Sequence, residues 1–403
     1  VVLTGLARWA GKRPHVLFAV APGATRTRLA AEAQLTRIGG VVAESPADAD
    51  VLLVVGSPGS ELAGAIDEVW RQMPGPLARL QVAEPQEAAD ALRRAMSDLS
   101  ADIGHKDRVD EWADAGSEQH DGHDQQSVED GSEEHDDAGA SGEHGEHGEH
   151  GDAMQMPGGL MMADREADRD GLKLDVLRVP WGPVLPDWPA GLVVDLLMQG
   201  DLVQRVDARV LPAAAEASTL YWSDADADGR RVAASHLDSL GRLLATAGWP
   251  AMACRVRQLR DAVLTCAPAD RLRGELARVD RRLRRSVGLR WATDGLGVLT
   301  ADAAERLDVD GPACRAVGDG GDVSARWRRW LSDADRLLAG EAVHESGPRG
   351  DSRGDRPASA ALLTAAEELM AGLDVAAARL VLASFDPDPD ELVQMPEPAG
   401  AGP

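Results

Sequence analysis

At 403 residues the chain is long enough for two or three domains, and a hydrophobic content of 44% is ordinary for a globular protein. Its formal net charge of −26 argues against nucleic acid as a partner of the chain as a whole, because phosphate binding needs a positive field. The three cysteines, Cys254, Cys266 and Cys314, include no Cys-x-x-Cys pair, so one copy cannot assemble a four-thiolate metal site and a disulfide scaffold is not expected.

The predicted elements alternate at first between strand and helix. Residues 1–13 are short, basic and apolar, with Leu3, Leu6 and Trp9 among Arg8, Lys12 and Arg13, and read as a frayed helix. His15–Val20, Val51–Val55 and Leu77–Val82 are apolar runs of strand length. Helical segments Thr27–Ile38, Glu61–Met73 (capped by Ser60) and Pro85–Leu99 separate and follow them. This alternation predicts a small α/β domain over 1–100 with a parallel sheet. The turn at 56–60 could serve as a phosphate cradle, but it lacks the G-x-G-x-x-G spacing.

Residues 101–157 are poor in large apolar side chains and are expected to be a disordered Asp/Glu/Gly/His-rich linker. Seven of the ten histidines fall there, and Gly-Glu-His repeats three times over 142–150. His144, His147 and His150 are the candidate metal ligands, for Ni, Zn or Cu, since imidazole and carboxylate suit those ions. A solvated linker is the alternative.

A second domain is expected over 158–340. Val176–Val179 is a strand that runs into the corner Pro180-Trp181-Gly182-Pro183. Leu192–Met198, a Gly200-Asp201 turn and the alternating run Leu202–Val210 complete an antiparallel unit. Strict alternation in the last run puts Leu202, Gln204, Val206, Ala208 and Val210 on one face and Val203, Arg205, Asp207 and Arg209 on the other. Helices are expected over His236–Ala247 (capped by Ser235), Ala251–Leu264 and Asp270–Val287. The last is strongly basic around an apolar seam of Leu272, Leu276, Val279 and Leu283. It complements the acidic tract in charge, within the chain or across an assembly. Residues 341–358 are a second polar linker, 359–390 a C-terminal helix and strand (Ala378–Ser384), and 391–403 a disordered tail. His236 reads as a helix-surface or satisfied residue, and Trp181 and Trp188 as core wedges at the proline corner.

Several of these segments resemble a known pair of families. The corner Gly182-Pro183-Val184-Leu185-Pro186-Asp187-Trp188-Pro189-Ala190-Gly191, the turn Gly200-Asp201 and Val206-Asp207-Ala208-Arg209 resemble the entry region of the large subunit shared by complex I and the membrane-bound nickel–iron hydrogenases. Gly311-Pro312-Ala313-Cys314-Arg315-Ala316 and Ala383-Ser384-Phe385-Asp386-Pro387-Asp388 resemble two later motifs of that subunit, in the same order. Ala49–Gly56, followed by a helix and Gln72-Met73-Pro74, resembles the small, cluster-bearing partner subunit. The resemblance therefore implies a fused, degenerate relative of the two subunits: an α+β multidomain chain with a large-subunit-type β unit and helical bundle.

The resemblance also places Gly182, Pro183, Pro186, Gly311, Pro312, Arg315 and Asp386 as remnants of a cofactor site. The family's corner histidine is Leu185 here, and its two C-terminal nickel cysteines are Asp388 and Glu391. Nickel in such sites takes soft thiolates, and carboxylates are hard ligands; an apolar Leu cannot donate a proton. No catalytic residue and no retained cofactor are expected. Arg315 is expected to clamp a carboxylate, Asp386 being a candidate.

The implied role is an accessory or structural subunit of a respiratory, complex I-like or hydrogenase-like membrane assembly, whose partners are that complex's subunits. With no apolar run of the ~20 residues a span requires and no signal-peptide core, it is expected to be cytoplasmic, peripheral on the inner face of the membrane. A quinone-reactive oxidoreductase subunit, with its pocket between 182–191 and 311–315, and a metal-binding protein built on the His tract are the alternatives.

Overall fold

The computed structural model describes residues 13–74, 78–101, 165–167, 173–214, 220–223, 227–341, 347–351 and 356–393. The expected linker over 101–157, with His144, His147 and His150, lies outside the described residues, as do residues 1–12 and the end of the chain after residue 393.

The chain is α+β. Its first part is a four-stranded, all-parallel sheet in the order β2-β1-β3-β4, built from β1 (His15–Val20), β2 (Val41–Val42), β3 (Val51–Val55) and β4 (Ala78–Val82). Helices α1 (Thr25–Arg37), α2 (Ser60–Gln72) and α3 (Ala88–Ala101) make the crossovers and close the unit. Every residue of β3, VLLVV, is buried, because a central parallel strand is covered on both faces. One face packs Val16, Leu53 and Val55 under Leu35, Ala91 and Leu92. The other packs Leu17, Leu52 and Val54 with Leu62 and Ile66, and continues into Val184, Val193 and Leu211 of the second part of the chain. The two-residue β2 escaped the sequence reading because so short a strand has no periodicity to detect.

The second part opens with an antiparallel sheet in the order β5-β6-β7-β8: β5 (Arg165–Ala167), β6 (Lys173–Trp181), β7 (Leu192–Gln199) and β8 (Leu202–Val210). The expected strict alternation in β8 does not hold. Met198 pairs with Val203 but Leu197 with Arg205, so Gln204 is an extra residue at a β-bulge. The bulge shifts the phase by one, and Val203 is buried on the same face as Val206, Ala208 and Val210.

The rest is helical: α4 (Gly229–Thr246), α5 (Pro250–Leu264), α6 (Ala269–Arg285), α7 (Val287–Thr293), α8 (Ala301–Arg306), α9 (Gly311–Ala316), α10 (Val323–Leu338), α11 (Ala358–Met370), α12 (Val375–Phe385) and a final turn, α13 (Pro389–Leu392). The central α4 is buried without a break from Ala233 to Leu244. It starts seven residues before the expected His236, because Asp228 is the cap, its Oδ1 accepting from the Arg231 N–H. Ser235 is a buried interior residue whose hydroxyl donates to the Val232 carbonyl. The strand expected over Ala378–Ser384 is the helix α12: Ala378, Val381, Leu382 and Phe385 are buried at helical spacing, and Asp374 caps it. A short apolar run has no strand signature of its own.

Candidate functional site

Open α/β sheets leave a crevice at the carboxyl ends of the strands where the strand order reverses, and ligands favour it. Here the reversal is between β1 and β3. The crevice is filled by the chain's own C-terminal turn. Asp390 sends one carboxylate oxygen to the Gly23 N–H at 2.6 Å and the other to the Thr25 hydroxyl at 2.8 Å, at the first turn of α1. That is where a helix N-terminus offers free N–H groups to an anion. The neighbouring 56–60 turn is also covered. Ser57 accepts from the Ala214 N–H, and a Cβ at Gly59 would meet the Pro212 carbonyl oxygen at 2.4 Å. The phosphate cradle considered for that turn is occupied by residues 212–214.

The turn that carries Asp390 is crowded with carboxylates: Asp386, Asp388, Asp390 and Glu391 are all buried. Asp386, in a left-handed conformation at φ 44°, ends α12. Its Oδ2 accepts from Arg349 Nη2 at 2.5 Å, Arg242 Nη2 at 2.9 Å and the Ser239 hydroxyl. Arg349 Nε also donates to the Asp386 carbonyl at 2.8 Å. Asp388 caps the final turn through the Asp390 N–H. Glu391 accepts from the Ser223 hydroxyl and the Ser359 N–H. Burial, reinforced by Asp390, pushes the Asp388 carboxyl up to about 7 against the pull of Arg349.

Arg242 links this turn to a second group of buried charges between α1, α4 and α5. Arg28 pairs with Glu32 and Asp238, both at 2.7 Å. The fully buried Arg260 pairs with Asp238 at 2.6 Å, Glu32 at 2.8 Å and Asp261 at 2.7 Å. Burial alone would raise the Glu32 carboxyl, but Arg28 and Arg260 outweigh it and hold it at about 2. The same contest, decided by Arg28, Arg242 and Arg260, holds Asp238 well below the carboxylate range.

The proline corner closes this neighbourhood. The Gly182–Pro183 peptide is cis, and Gly182 has φ 84°. A Cβ there would meet the Leu192 carbonyl oxygen at 2.3 Å, the same oxygen that accepts from Trp188 Nε1 at 2.7 Å. Trp181 and Trp188 meet edge to face at 6.0 Å. Pro183, Leu185 and Pro186 face Phe18, Val20, Arg28 and Glu32 across a cavity of about 40 Å³. That holds a few waters and no aromatic head group. A second, still smaller cavity joins Asp187 and Trp188 to Asp386. Pro186 accepts from Arg379, and Asp187 is paired with Arg257.

The remaining expected residues lie behind Asp386. Gly311 and Gly350 cross backbone to backbone, a Cβ at Gly311 lying 2.4 Å from Gly350 Cα, and so fix the segment bearing Arg349. Pro312 is buried in the first turn of α9. Arg315 does not clamp Asp386: its Nη2 donates to Asp333 at 2.6 Å. Arg349, which the sequence reading did not single out, takes that place. His236 is neither a surface residue nor a satisfied one. It is 1% exposed, and among the described residues neither ring nitrogen has a hydrogen-bond partner. Burial, then Arg349 and Arg315, lower it to about 3.

The segments 182–191, 311–316 and 384–391 are thus gathered around Asp386, directly or through Arg349. Glu32, Asp238, Arg260 and Asp390 were also missed. The one sequence signal, for Glu32 and Asp238 alone, is the i,i+4 pairing Arg28/Glu32 and Asp238/Arg242 on helices that otherwise bury apolar faces.

The donor set does not fit nickel or an iron–sulfur cluster. The positions that resemble the nickel cysteines hold Asp388 and Glu391, hard carboxylates; both oxygens of Glu391 accept from an O–H and an N–H donor, and Asp388 Oδ1 accepts from the Asp390 N–H. Cys254 and Cys266 are exposed and Cys314 half-buried. Among the described residues no group of three or more His, Cys, Asp or Glu side chains is placed to hold a metal ion.

No protein-family model matches the chain, and no curated protein does. Among solved structures, a chain from the structure of the membrane-bound sulfane sulfur reductase, an archaeal respiratory membrane complex, is similar at 13% identity with a TM-score of 0.42, covering 55% of this chain and 99% of that one. At that TM-score the functional reading rests on this chain's own residues. Among the described residues no helix is long and apolar enough to cross a membrane.

Proposed function

We propose that the protein is a non-redox accessory or structural subunit of a complex I-like or hydrogenase-like membrane assembly, in which the junction that would carry electrons is held together by charge pairs. The observation that carries the reading is the convergence around Asp386. Three segments that resemble large-subunit motifs meet there, against the α/β unit that resembles the small subunit. At their meeting point Asp390 fills the anion position of α1, and Leu185 and Asp388 stand where the resemblance expects a proton donor and a thiolate. Shape is retained and ligand chemistry is not.

The cavity at the corner, about 40 Å³ and lined by no residue of 311–315, lends no support to a quinone site between 182–191 and 311–315. The His tract, as a Ni, Zn or Cu site, is a separate proposal that calorimetric titration of the whole chain addresses. Affinity capture of the tagged protein from detergent-solubilised membranes of its source tests the main reading. Stoichiometric recovery of membrane subunits of a respiratory complex supports it, and capture without any of them refutes it.

A further inference from the structure

The surface formed by α6 and α7 carries a pattern that the buried site does not use. Arg278, Arg281, Arg282 and Arg285 line an open groove of about 430 Å³ with Trp249 and Ser286. All four are exposed. Elsewhere on α6 the arginines are committed: Arg271 to Glu275, Arg273 to Asp335 and Arg284 to Asp280. Arg278, Arg281 and Arg285 have no carboxylate partner among the described residues, and Arg282 stacks over the Trp249 ring at 5.9 Å.

Ser286 ends α6 and caps α7, its hydroxyl accepting from the Leu289 N–H. Directly after it, Val287 and Trp291 are four residues apart on one face of α7, 69% and 89% exposed, with the exposed Arg290 between them. These are the two most exposed large apolar side chains among the described residues. A hydrated surface gains nothing from showing them beside unpaired arginines.

We propose that the α6–α7 elbow is a docking site for an anionic lipid surface. Arg278, Arg281, Arg285 and Arg290 would meet the headgroup phosphates, and Trp291 and Val287 would enter the headgroup–acyl boundary. Tryptophan suits that boundary because one end of the ring is apolar and the other can hydrogen-bond. The net charge of −26 does not prevent this, since charges beyond the Debye length of about 8 Å are screened. The competing occupant is the chain's own acidic tract at 101–157. It matches the arginines in charge, but its six large apolar residues, Ile103, Val109, Trp112, Val128, Met154 and Met156, are spread thinly through it and form no patch to cover Trp291 and Val287. An acidic protein partner is the remaining occupant, favoured if protein-free anionic vesicles are not bound.

Flotation of the whole chain with vesicles tests this, using phosphatidylcholine alone and phosphatidylcholine with about one-third phosphatidylglycerol. The expected result is binding to the anionic vesicles only, falling about tenfold or more in Arg281→Glu/Arg285→Glu and severalfold in Trp291→Ala. All three positions are exposed, and unchanged circular dichroism establishes that the variants fold. No binding to anionic vesicles overturns the proposal, and so does binding that neither variant weakens. Charge-dependent binding indifferent to Trp291→Ala also overturns it. The vesicles contain no protein, so this outcome is independent of the respiratory-subunit reading.

Discussion

Two buried charge groups meet at Arg242, and they are built on different terms. In the seam between α1, α4 and α5, the carboxylates of Glu32, Asp238 and Asp261 are interleaved with Arg28, Arg242 and Arg260, and the acids Glu32 and Asp238 stay ionised to very low pH. In the 386–391 turn, four buried carboxylates share Arg242 and Arg349 and depend otherwise on backbone N–H and hydroxyl donors. The seam is a lock. The turn is an excess of negative charge, and Asp388 responds by holding its proton to about 7. A closely matched buried ion pair adds little net stability over apolar packing, but removing one partner is expensive. The seam should therefore fail hard when broken, and the turn should relax when a charge is removed.

The largest effect is expected from Asp238→Asn, which leaves Arg28 and Arg260 short of a charge in a buried site. It should destabilise by about 3–5 kcal/mol, measured by urea denaturation at neutral pH; a loss within about 0.5 kcal/mol would show that the seam is not a lock. Next is Gly311→Ala. With φ 67° and the Gly350 backbone at 2.4 Å, it should cost about 2–3 kcal/mol and loosen Arg349 from Asp386.

His236 supplies a pH test of similar size. Its folded value of about 3 lies below the ordinary value of about 6.5. Its contribution is complete above about pH 6.5 and is lost as pH falls towards 3. Between pH 7 and 5 this amounts to about 2 kcal/mol. His236→Leu should remove that part of the acid sensitivity, seen by comparing urea midpoints at the two pH values. An unchanged pH slope would contradict the burial assigned to the ring.

The smallest expected effect has the opposite sign. Asp388 titrates high in the fold, so its contribution is complete below about pH 4 and is lost as pH rises through about 7. Asp388→Asn keeps the acceptor used by the Asp390 N–H and should raise stability at pH 8 by about 1–2 kcal/mol, with no gain at pH 4. Glu32 runs the other way: its contribution is present above the ordinary carboxylate range and is lost as pH falls to about 2. Thermal melts across pH 2–8, wild type against variant, separate the two groups.

What the sequence disclosed divides along the same line. The runs at Val51–Val55 and Leu192–Gln199 were legible as apolar stretches of strand length bounded by turn residues, and the seam of α6 because one buried helix face leaves a period of 3.6. The bulge at Gln204 and the helix at Val375–Phe385 were not, since one depends on an extra residue in a partner-matched ladder and the other on a run too short to show its period. The corner and Asp386 were found through motif resemblance. Arg349, Asp390 and the seam were not, because charge patterns on a helix look alike whether they face water or a second domain. Pairings such as Gly23 with Asp390 or Arg28 with Asp238 join residues hundreds of positions apart, and no local pattern records them.

On the proposed reading, internal carboxylates and guanidinium groups stand at this junction where a redox cofactor would otherwise sit. The most direct test is the visible absorption spectrum, with iron and nickel analysis, of the whole chain after a chelator wash that strips the His tract. A colourless protein without tightly held iron or nickel is the predicted result. A brown protein retaining either metal through the wash would contradict it.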